Sequence, residues 1–273
     1  MISGVRSQRV VGRLIVSTRR DDFGTGDRDL LDRFADYLRQ RIVDFNREWK
    51  YLSLCFPKPV VQRLLQDEDY AERHLRPRLR DAAVMFSDLS GFTRISEQVL
   101  CDPVQIGRLF DQWSARVVES IWRSGGVLDK LVGDCAIGLW GPPFFEMTPQ
   151  QACDAALECA RQIRDFTQEM SVSPTNIAGQ GKAVHLAVAT ALNYCPLYVG
   201  RFGPDEDYTG FSSGMNNTAR LQGLATANEI LCMTQFVQQL GQPGVFGPAQ
   251  QASVKNVADP LRYRALKPKM LSD

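Results

Sequence analysis

The sequence contains no long apolar run. Along its 273 residues, no window approaches the roughly 20 consecutive apolar residues that a membrane-spanning helix requires. The first residues are basic and polar, so they do not form the apolar core of a secretory signal. We therefore expect a cytoplasmic protein without a membrane partner.

The sequence also has no large excess of positive or negative residues. The chain has 32 basic and 31 acidic residues, which gives a formal net charge of +1. This balance gives no reason to expect nucleic acid or an anionic surface as the main partner. A nucleotide site would have to be built from local charges. Apolar residues make up 44 % of the chain, enough for an ordinary globular core.

Paired metal-binding residues are scarce. The seven cysteines are scattered and never form a C-x-x-C pair, and the only histidines are His74 and His185. A structural zinc site is therefore not expected. Reduced thiols are the simplest interpretation of the cysteines.

The N-terminal part of the sequence predicts one strand and one long helix. Residues 10–18 are β-branched and apolar, which is typical of a strand. Apolar residues spaced by three, four and seven predict a helix over about 27–54. This helix either packs within its own chain or forms a parallel coiled coil with a second copy. The basic run 72–81 is interpreted as a linker, with a phosphate-facing patch as the lesser alternative.

From residue 81 onward, strands and helices alternate. The predicted elements are a strand at 82–89, helices at 91–99 and 103–123, a strand pair within 125–141, a helix at 149–170, a second strand pair within 182–203, a helix at 214–226 and a last strand near 261–266. Strands separated by helices, with hairpins in the middle, indicate an antiparallel-rich α+β domain of ferredoxin-like type.

Two aspartates stand at the ends of predicted strands. Asp88 ends an apolar strand and is followed by a glycine-containing turn, where a carboxylate is either a cation ligand or a helix cap. Asp134 follows Gly133 in a tight turn between two further strands. Paired carboxylates of this kind are the oxygen ligands that Mg²⁺ or Mn²⁺ uses in phosphoryl chemistry.

Four segments together resemble the class III nucleotidyl cyclases. FSDLSGFT at 86–93 and DKLVGD at 129–134 are similar to the two metal motifs of that family. DYTGFSSGMNNTARL at 207–221 resembles its base-recognition and transition-state segment, and 254–266 resembles its last strand pair. The resemblance covers about 50–268 and implies the family's α+β, ferredoxin-like fold with an N-terminal helical extension.

The resemblance implies a metal site and a phosphate-binding turn. Asp88, Asp134 and the backbone carbonyl of Leu89 match the ligands of two Mg²⁺ or Mn²⁺ ions. The following turn, Gly91, Phe92 and Thr93, is implied to contact the substrate.

The remaining site residues concern the nucleotide itself. Lys130 matches the position that contacts the N1 edge of adenine, and Thr209 marks the class IIIb branch, so the implied substrate is ATP. Asn216 and Arg220 match the transition-state pair and lie four residues apart on one helix face. Some relatives place a phosphate-binding arginine near Pro196, and proline is unable to provide that contact. Arg201 and the basic tail are the candidates to replace it, with Lys255 better placed by its match to the final strand pair.

The resemblance also implies how the chain is organised. In the family the metal aspartates come from one subunit and the other site residues from its partner, so a homodimer is expected. Residues 1–48 resemble the last strand and helix of a GAF domain, 49–80 form a linker or transducer, 81–268 the catalytic domain and 269–273 a tail. We therefore expect the chain to be part of a longer protein with an upstream sensor domain in cis.

These observations predict an adenylate cyclase that makes 3′,5′-cyclic AMP and pyrophosphate in intracellular signalling. Two alternatives stay open. One is a guanylate cyclase, which an assay of ATP against GTP distinguishes. The other is a catalytically silent dimerisation or nucleotide-sensing module, which would form no cyclic nucleotide.

Overall fold

A computed structural model describes most of the chain. The described residues are 2–4, 7–17, 19, 23–172, 184–204, 206–255, 257 and 259–267. The chain divides into two compact units, Met1–Leu54 and Cys55–Asp273. All seven cysteines have free thiols, in agreement with the expectation of reduced cysteines. Within the described residues, no helix has the length and apolar character needed to span a membrane.

The first unit contains a hairpin and a long helix. Strand β1 (Ile2–Gly4) pairs antiparallel with β2 (Ser7–Gly12), and helix α1 covers Thr25–Leu52. The helix predicted over 27–54 is therefore confirmed with a shift of two residues. The strand predicted over 10–18 is wrong over 13–17, because the described ladder ends where Gly12 pairs with Ile2; residue 18 lies outside the described residues. The resemblance of this unit to a GAF domain stays a prediction.

The second unit starts with helix α2 (Lys58–Leu64) and a π-helical turn at Ala71–Leu75. Its strands are β3 (Arg78–Leu89), β4 (Val127–Val132), β5 (Cys135–Trp140), β6 (Ser171–Val172), β7 (Val184–His185), β8 (Val188–Phe202), β9 (Asp207–Phe211), β10 (Ile230–Met233), β11 (Gln250–Ala252) and β12 (Leu261–Ala265). Its other helices are α3 (Phe92–Arg94), a π-helical turn at Ile95–Leu100, α4 (Pro103–Arg123), α5 (Pro149–Glu169), α6 (Ser213–Gln222), α7 (Thr234–Gln239) and a 3-10 turn at Pro243–Val245.

One mixed sheet of eight strands organises this unit. The order is β11-β12-β10-β8-β3-β5-β4, and β9 also pairs with β8. β3 and β8 lie at the centre and pair antiparallel along the whole of β3. β6 and β7 form a separate two-stranded sheet. The large mixed sheet covered by helices confirms the α+β prediction.

The sequence interpretation of β8 as two strands is wrong. β8 runs unbroken from Val188 to Phe202, although Pro196 lies within it. Residues 190–192 pair with β10 and residues 198–202 pair with β9. Pro196 falls between these two pairings, where the missing N–H costs no bond to either strand. The same ladder corrects the predicted linker, because residues 78–81 pair with β8 and belong to β3.

The main core lies between the sheet and the helices α4, α5 and α7. Its largest buried side chains include Trp113, Ile163 and Phe236. Trp113 Nε1 donates a hydrogen bond to Thr167 Oγ1 at 3.1 Å, which joins α4 to α5 inside the apolar layer. Residues 82–87 of β3 are buried on both faces, which explains why this strand has a continuous apolar sequence.

Candidate active site

The sheet brings the two predicted metal aspartates together. Asp88 lies opposite Cys135 in the β3–β5 ladder, and the backbone N–H of Leu89 donates to the backbone carbonyl of Asp134 at 3.2 Å. Only Gly133 and Asp134 connect β4 to β5, and Gly133 has a φ of +60° that suits a tight two-residue hairpin. The turn therefore holds Asp134 beside the end of β3.

The electrostatics of the pair indicate two competing negative charges. Burial, and to a lesser extent the nearby carboxylate of Asp134, together raise the pKa of Asp88 to about 6. The pKa of the neighbouring Cys135 thiol is raised to about 12, mainly by burial and then by Asp88 and Asp134. The thiol is therefore neutral at physiological pH, and the charged groups at this point are carboxylates. A cation would relieve their repulsion.

The donor set fits a hard divalent cation. Among the described residues no group of three or more His, Cys, Asp or Glu side chains is arranged to hold a metal ion by itself. Mg²⁺ typically takes only one or two carboxylates from a protein and completes its shell with water and substrate phosphates. Asp88, Asp134 and the carbonyl of Leu89 offer such a set. Ser90 Oγ, next along the chain, is buried and has no hydrogen-bond partner within the described part of the structure.

The turn after Asp88 lies where the sequence predicted it. Gly91 has a φ of +72° and precedes helix α3, with its carbonyl accepting from Ile95 N–H at 3.0 Å. Gly91 and Thr93 are exposed, whereas Phe92 packs against the main core. Phe92 therefore anchors the turn, and its neighbours are accessible beside Asp88.

A second group of site residues joins β4 to β9 through a residue that sequence analysis missed. Asp129 Oδ1 accepts hydrogen bonds from Thr209 Oγ1 at 2.7 Å and from the backbone N–H of Gly210 at 3.1 Å. Its side chain is 0 % exposed, and Lys130 Nζ lies 3.7 Å from Oδ2. The predicted base-reading residues, Lys130 and Thr209, are thus linked through the carboxylate of Asp129.

A β-bulge explains this arrangement. In the β4–β5 ladder Leu128 pairs with Gly138 and Lys130 pairs with Ile137, so Asp129 is the extra residue. Bulges redirect side chains and are frequent beside active sites. Here Asp129 is buried and Lys130 keeps 43 % of its side chain exposed. The available sequence signal was a charged residue in an apolar strand, since a carboxylate is rarely buried unless it is paired.

The transition-state candidates form a third group on α6. Ser212 caps this helix by accepting from Met215 N–H at 2.9 Å. Asn216 is exposed in its second turn, and the guanidinium of Arg220 donates from Nη1 to the backbone carbonyl of Lys255. Lys255 is therefore brought to Arg220 through its main chain, while its side chain faces solvent.

The hydrogen bonds and ion pairs of the site connect residues within each of three groups. The Asp88–Asp134 pair, the Lys130–Asp129–Thr209 group and the Arg220–Lys255 pair each come together. The hydrogen bonds and ion pairs found among the described residues do not join any of these groups directly to another.

Comparison of the sequence with known proteins gives partial matches, and no family model matches. The chain is 33 % identical over 165 residues to an uncharacterised protein of Mycobacterium tuberculosis, covering 58 % of this chain and 27 % of that protein. It is 27 % identical over 184 residues to adenylate cyclase 2 of Rhizobium meliloti, covering 65 % and 47 %. The chain thus matches less than half of the length of these relatives.

Solved structures share the fold. The crystal structure of the adenylyl cyclase CyaB from P. aeruginosa has a TM-score of 0.59 at 22 % identity, covering 72 % of this chain and 98 % of that chain. The guanylyl cyclase Cya2 has a TM-score of 0.58 at 20 % identity, covering 72 % and 98 %. These solved structures show that the chain shares its fold with adenylyl and guanylyl cyclase domains.

Proposed function

We propose that this chain carries the catalytic domain of an adenylate cyclase, which converts ATP to 3′,5′-cyclic AMP and pyrophosphate. The observation that carries the proposal is the Asp88–Asp134 pair at the end of the central strand, with the Leu89 N–H bound to Asp134 at 3.2 Å. Two neighbouring carboxylates with few other ligands suit Mg²⁺ bound to a nucleoside triphosphate. The likeness to adenylyl and guanylyl cyclases supports the same chemistry.

In this proposal Asp88, Asp134 and the Leu89 carbonyl would hold two Mg²⁺ or Mn²⁺ ions. Such ions, when bound, lower the pKa of the ribose 3′-hydroxyl and neutralise charge on the phosphates. Asp88 or a water molecule takes the proton from the 3′-hydroxyl as its oxygen attacks the α-phosphorus and pyrophosphate leaves. Gly91 and Thr93 contact the phosphates from the accessible turn.

Residues from α6 act on the reacting centre. Asn216 is exposed and orients the ribose, and the guanidinium of Arg220 stabilises the charge that grows on the α-phosphate. The bond from Arg220 to the Lys255 carbonyl holds the guanidinium until the phosphate competes for it. Lys255 contributes its ammonium to the outer phosphates. The protein thus works by positioning and electrostatics, as phosphoryl-transfer enzymes generally do.

The three groups of site residues support an active site shared by two copies. The metal pair would come from one subunit, and the Lys130–Thr209 and Asn216–Arg220 groups from its partner. Every group is present in this chain, so a homodimer would contain two complete sites. A monomer would lack activity.

Assays of cyclic nucleotide formation test this function. Purified protein with Mn²⁺ or Mg²⁺ should convert ATP to cyclic AMP, with specific activity rising over a protein concentration series as dimers form. Guanylate cyclase is the second candidate, because the TM-score with the guanylyl cyclase Cya2, 0.58, is close to the 0.59 obtained with CyaB. Faster conversion of GTP than ATP would favour it. Absence of product from both nucleotides would identify a silent module.

A further inference from the structure

Asp129 is a buried acid for which the proposed reaction has no direct use. Its side chain is 0 % exposed, and burial raises its pKa despite several hydrogen bonds. Taking a carboxylate out of water is costly unless each oxygen finds a partner. Oδ1 has two donors, but Oδ2 has no hydrogen bond within the described part of the chain, and the Lys130 ammonium lies 3.7 Å from it. The incompletely paired carboxylate of Asp129 therefore indicates a role in function rather than in stability.

The hydrogen bonds at Oδ1 fix the direction of the Thr209 hydroxyl. A backbone N–H can only donate, so the Gly210 N–H requires Oδ1 of Asp129 to accept. The ionised carboxylate can only accept, so Thr209 donates to Oδ1 at 2.7 Å, and its oxygen can then only accept a bond from any other group. With the carboxyl group protonated at Oδ2, Oδ1 is the carbonyl oxygen and accepts from both donors, which keeps the same direction.

The second oxygen of Asp129 acts on Lys130. The ammonium lies 3.7 Å from Oδ2 on one side and 6.0 Å from the centre of the Phe211 ring on the other. An ammonium group has donors and no acceptor. Lys130 and Thr209 therefore present one donor and one acceptor side by side, and both are held by the same carboxyl group.

We propose that Asp129 is a positioning residue that fixes the hydrogen-bonding polarity of the Thr209–Lys130 pair and thereby selects adenine over guanine. This inference rests on the proposed function, in which these two residues read the base. Adenine offers a donor at its 6-amino group and an acceptor at N1, whereas guanine offers an acceptor at O6 and a donor at N1. An acceptor-only Thr209 and a donor-only Lys130 match adenine at both positions and oppose guanine at both.

Two substitutions at Asp129 separate its effect on the Thr209 hydroxyl from its effect on the Lys130 ammonium. Asp129→Ala removes the acceptor, so the Thr209 hydroxyl becomes free to donate to O6 of guanine. Asp129→Asn keeps the polarity of Thr209, because the Gly210 N–H still requires the amide oxygen at the position of Oδ1. It replaces Oδ2 with an amide N–H, which repels the Lys130 ammonium. Asp111→Ala, at an exposed position of α4, is the matched control for losing a carboxylate.

The measured quantity is the ratio of kcat/KM for ATP to kcat/KM for GTP. We expect Asp129→Ala to lower this ratio roughly tenfold or more, the size of one hydrogen-bond mismatch. Asp129→Asn should raise KM for ATP several-fold but keep most of the ratio, and Asp111→Ala should resemble the unsubstituted protein. A merely structural role would lower both activities together, so an unchanged ratio in folded Asp129→Ala overturns the proposal. Equal loss of the ratio in Asp129→Asn overturns it as well.

A second variant covers the case in which Asp129→Ala fails to fold. Thr209→Val keeps the shape of the side chain and removes its hydroxyl, so it should lower the ratio similarly, and an unchanged ratio there also refutes the proposal. Assay of the unsubstituted protein distinguishes failure of the base-selection role of Asp129 from failure of the proposed cyclase function. Preferential formation of cyclic AMP supports the function whatever the variants do, and no product from either nucleotide would overturn both.

Discussion

The backbone N–H of Leu89 donates to the carbonyl of Asp134 at 3.2 Å, and this bond ties the end of β3 to the β4–β5 hairpin. It joins two segments that are distant in sequence and brings their carboxylates to one point. Both flanking strands belong to the buried sheet, so the pair has little freedom to separate. The fold thus holds two like charges together before any cation arrives.

Removal of either carboxylate should abolish cyclase activity. We expect Asp88→Asn and Asp134→Asn each to lower kcat with Mn²⁺-ATP roughly 100-fold or more, because each removes a proposed ligand of an ion that supplies several kcal/mol. Asp102→Asn is the matched control, since Asp102 caps α4 by accepting from Val104 N–H and asparagine caps equally well. Substantial activity in both site variants would contradict the assigned ligands.

The substitution Asp88→Asn should stabilise the metal-free protein. The pKa of Asp88 is raised in the folded state to about 6 from an ordinary 3.8, so the native state binds this proton more tightly than the unfolded state. The associated stability is present below about pH 4 and is lost as the pH rises through 6. At pH 8, Asp88→Asn should therefore increase the free energy of unfolding by roughly 1–2 kcal/mol, allowing for the partial exposure of Asp88.

Urea denaturation in the presence of EDTA measures this effect. The gain from Asp88→Asn should shrink toward zero at pH 4, where the native carboxyl group is already protonated. A gain of equal size at both pH values would mean that ionisation of Asp88, disfavoured by its burial and by Asp134, is not the cause of the gain.

Sequence reasoning located the features that depend on local chemistry. Helix α4 begins after the cap Asp102, and α5 begins after Thr148, whose hydroxyl accepts from Gln151 N–H at 3.2 Å. Each cap is followed by proline at the first helical position, and the predicted starts, about 103 and 149, coincide with these positions. Asp88 and Asp134 were predicted to meet because both stand where strands end.

The features that sequence reasoning missed depend on tertiary pairing. The unbroken course of β8 past Pro196 depends on which residues pair with β10 and β9, and no local signal contains that register. The role of Asp129 depends on a bulge in β4 and on a partner 80 residues away. Sequence shows only a charged residue within an apolar strand. Long-range register therefore accounts for both misses.

The hairpin turn should be sensitive to its glycine. Gly133 has a φ of +60°, and a Cβ added there would meet no atom within 4 Å, so the only penalty is backbone strain. We expect Gly133→Ala to lower the free energy of unfolding by about 1 kcal/mol. Activity should fall by more than the unfolded fraction explains, because the turn positions Asp134. Gly244→Ala, in open space at an ordinary φ, should change neither quantity.

Chemical denaturation and steady-state kinetics on the two glycine variants make this comparison. Loss of stability in Gly133→Ala without loss of activity would show that the turn conformation is dispensable for the site.

Complementation between inactive variants should reveal whether the site is shared. In the proposed homodimer Asp88 comes from one subunit and Arg220 from the other, so a heterodimer of Asp88→Ala and Arg220→Ala chains contains one intact site and one doubly damaged site. Random pairing of equal amounts makes half of the dimers mixed, and we expect about a quarter of the unsubstituted specific activity to return.

Asp88→Ala mixed with Asp134→Ala is the control and should stay inactive, because both substitutions damage the metal half and every site retains one of them. Co-expression with two affinity tags allows the mixed dimers to be isolated and assayed. Activity confined to the first mixture would establish sites built from two chains, and failure of both mixtures would place each complete site within one chain.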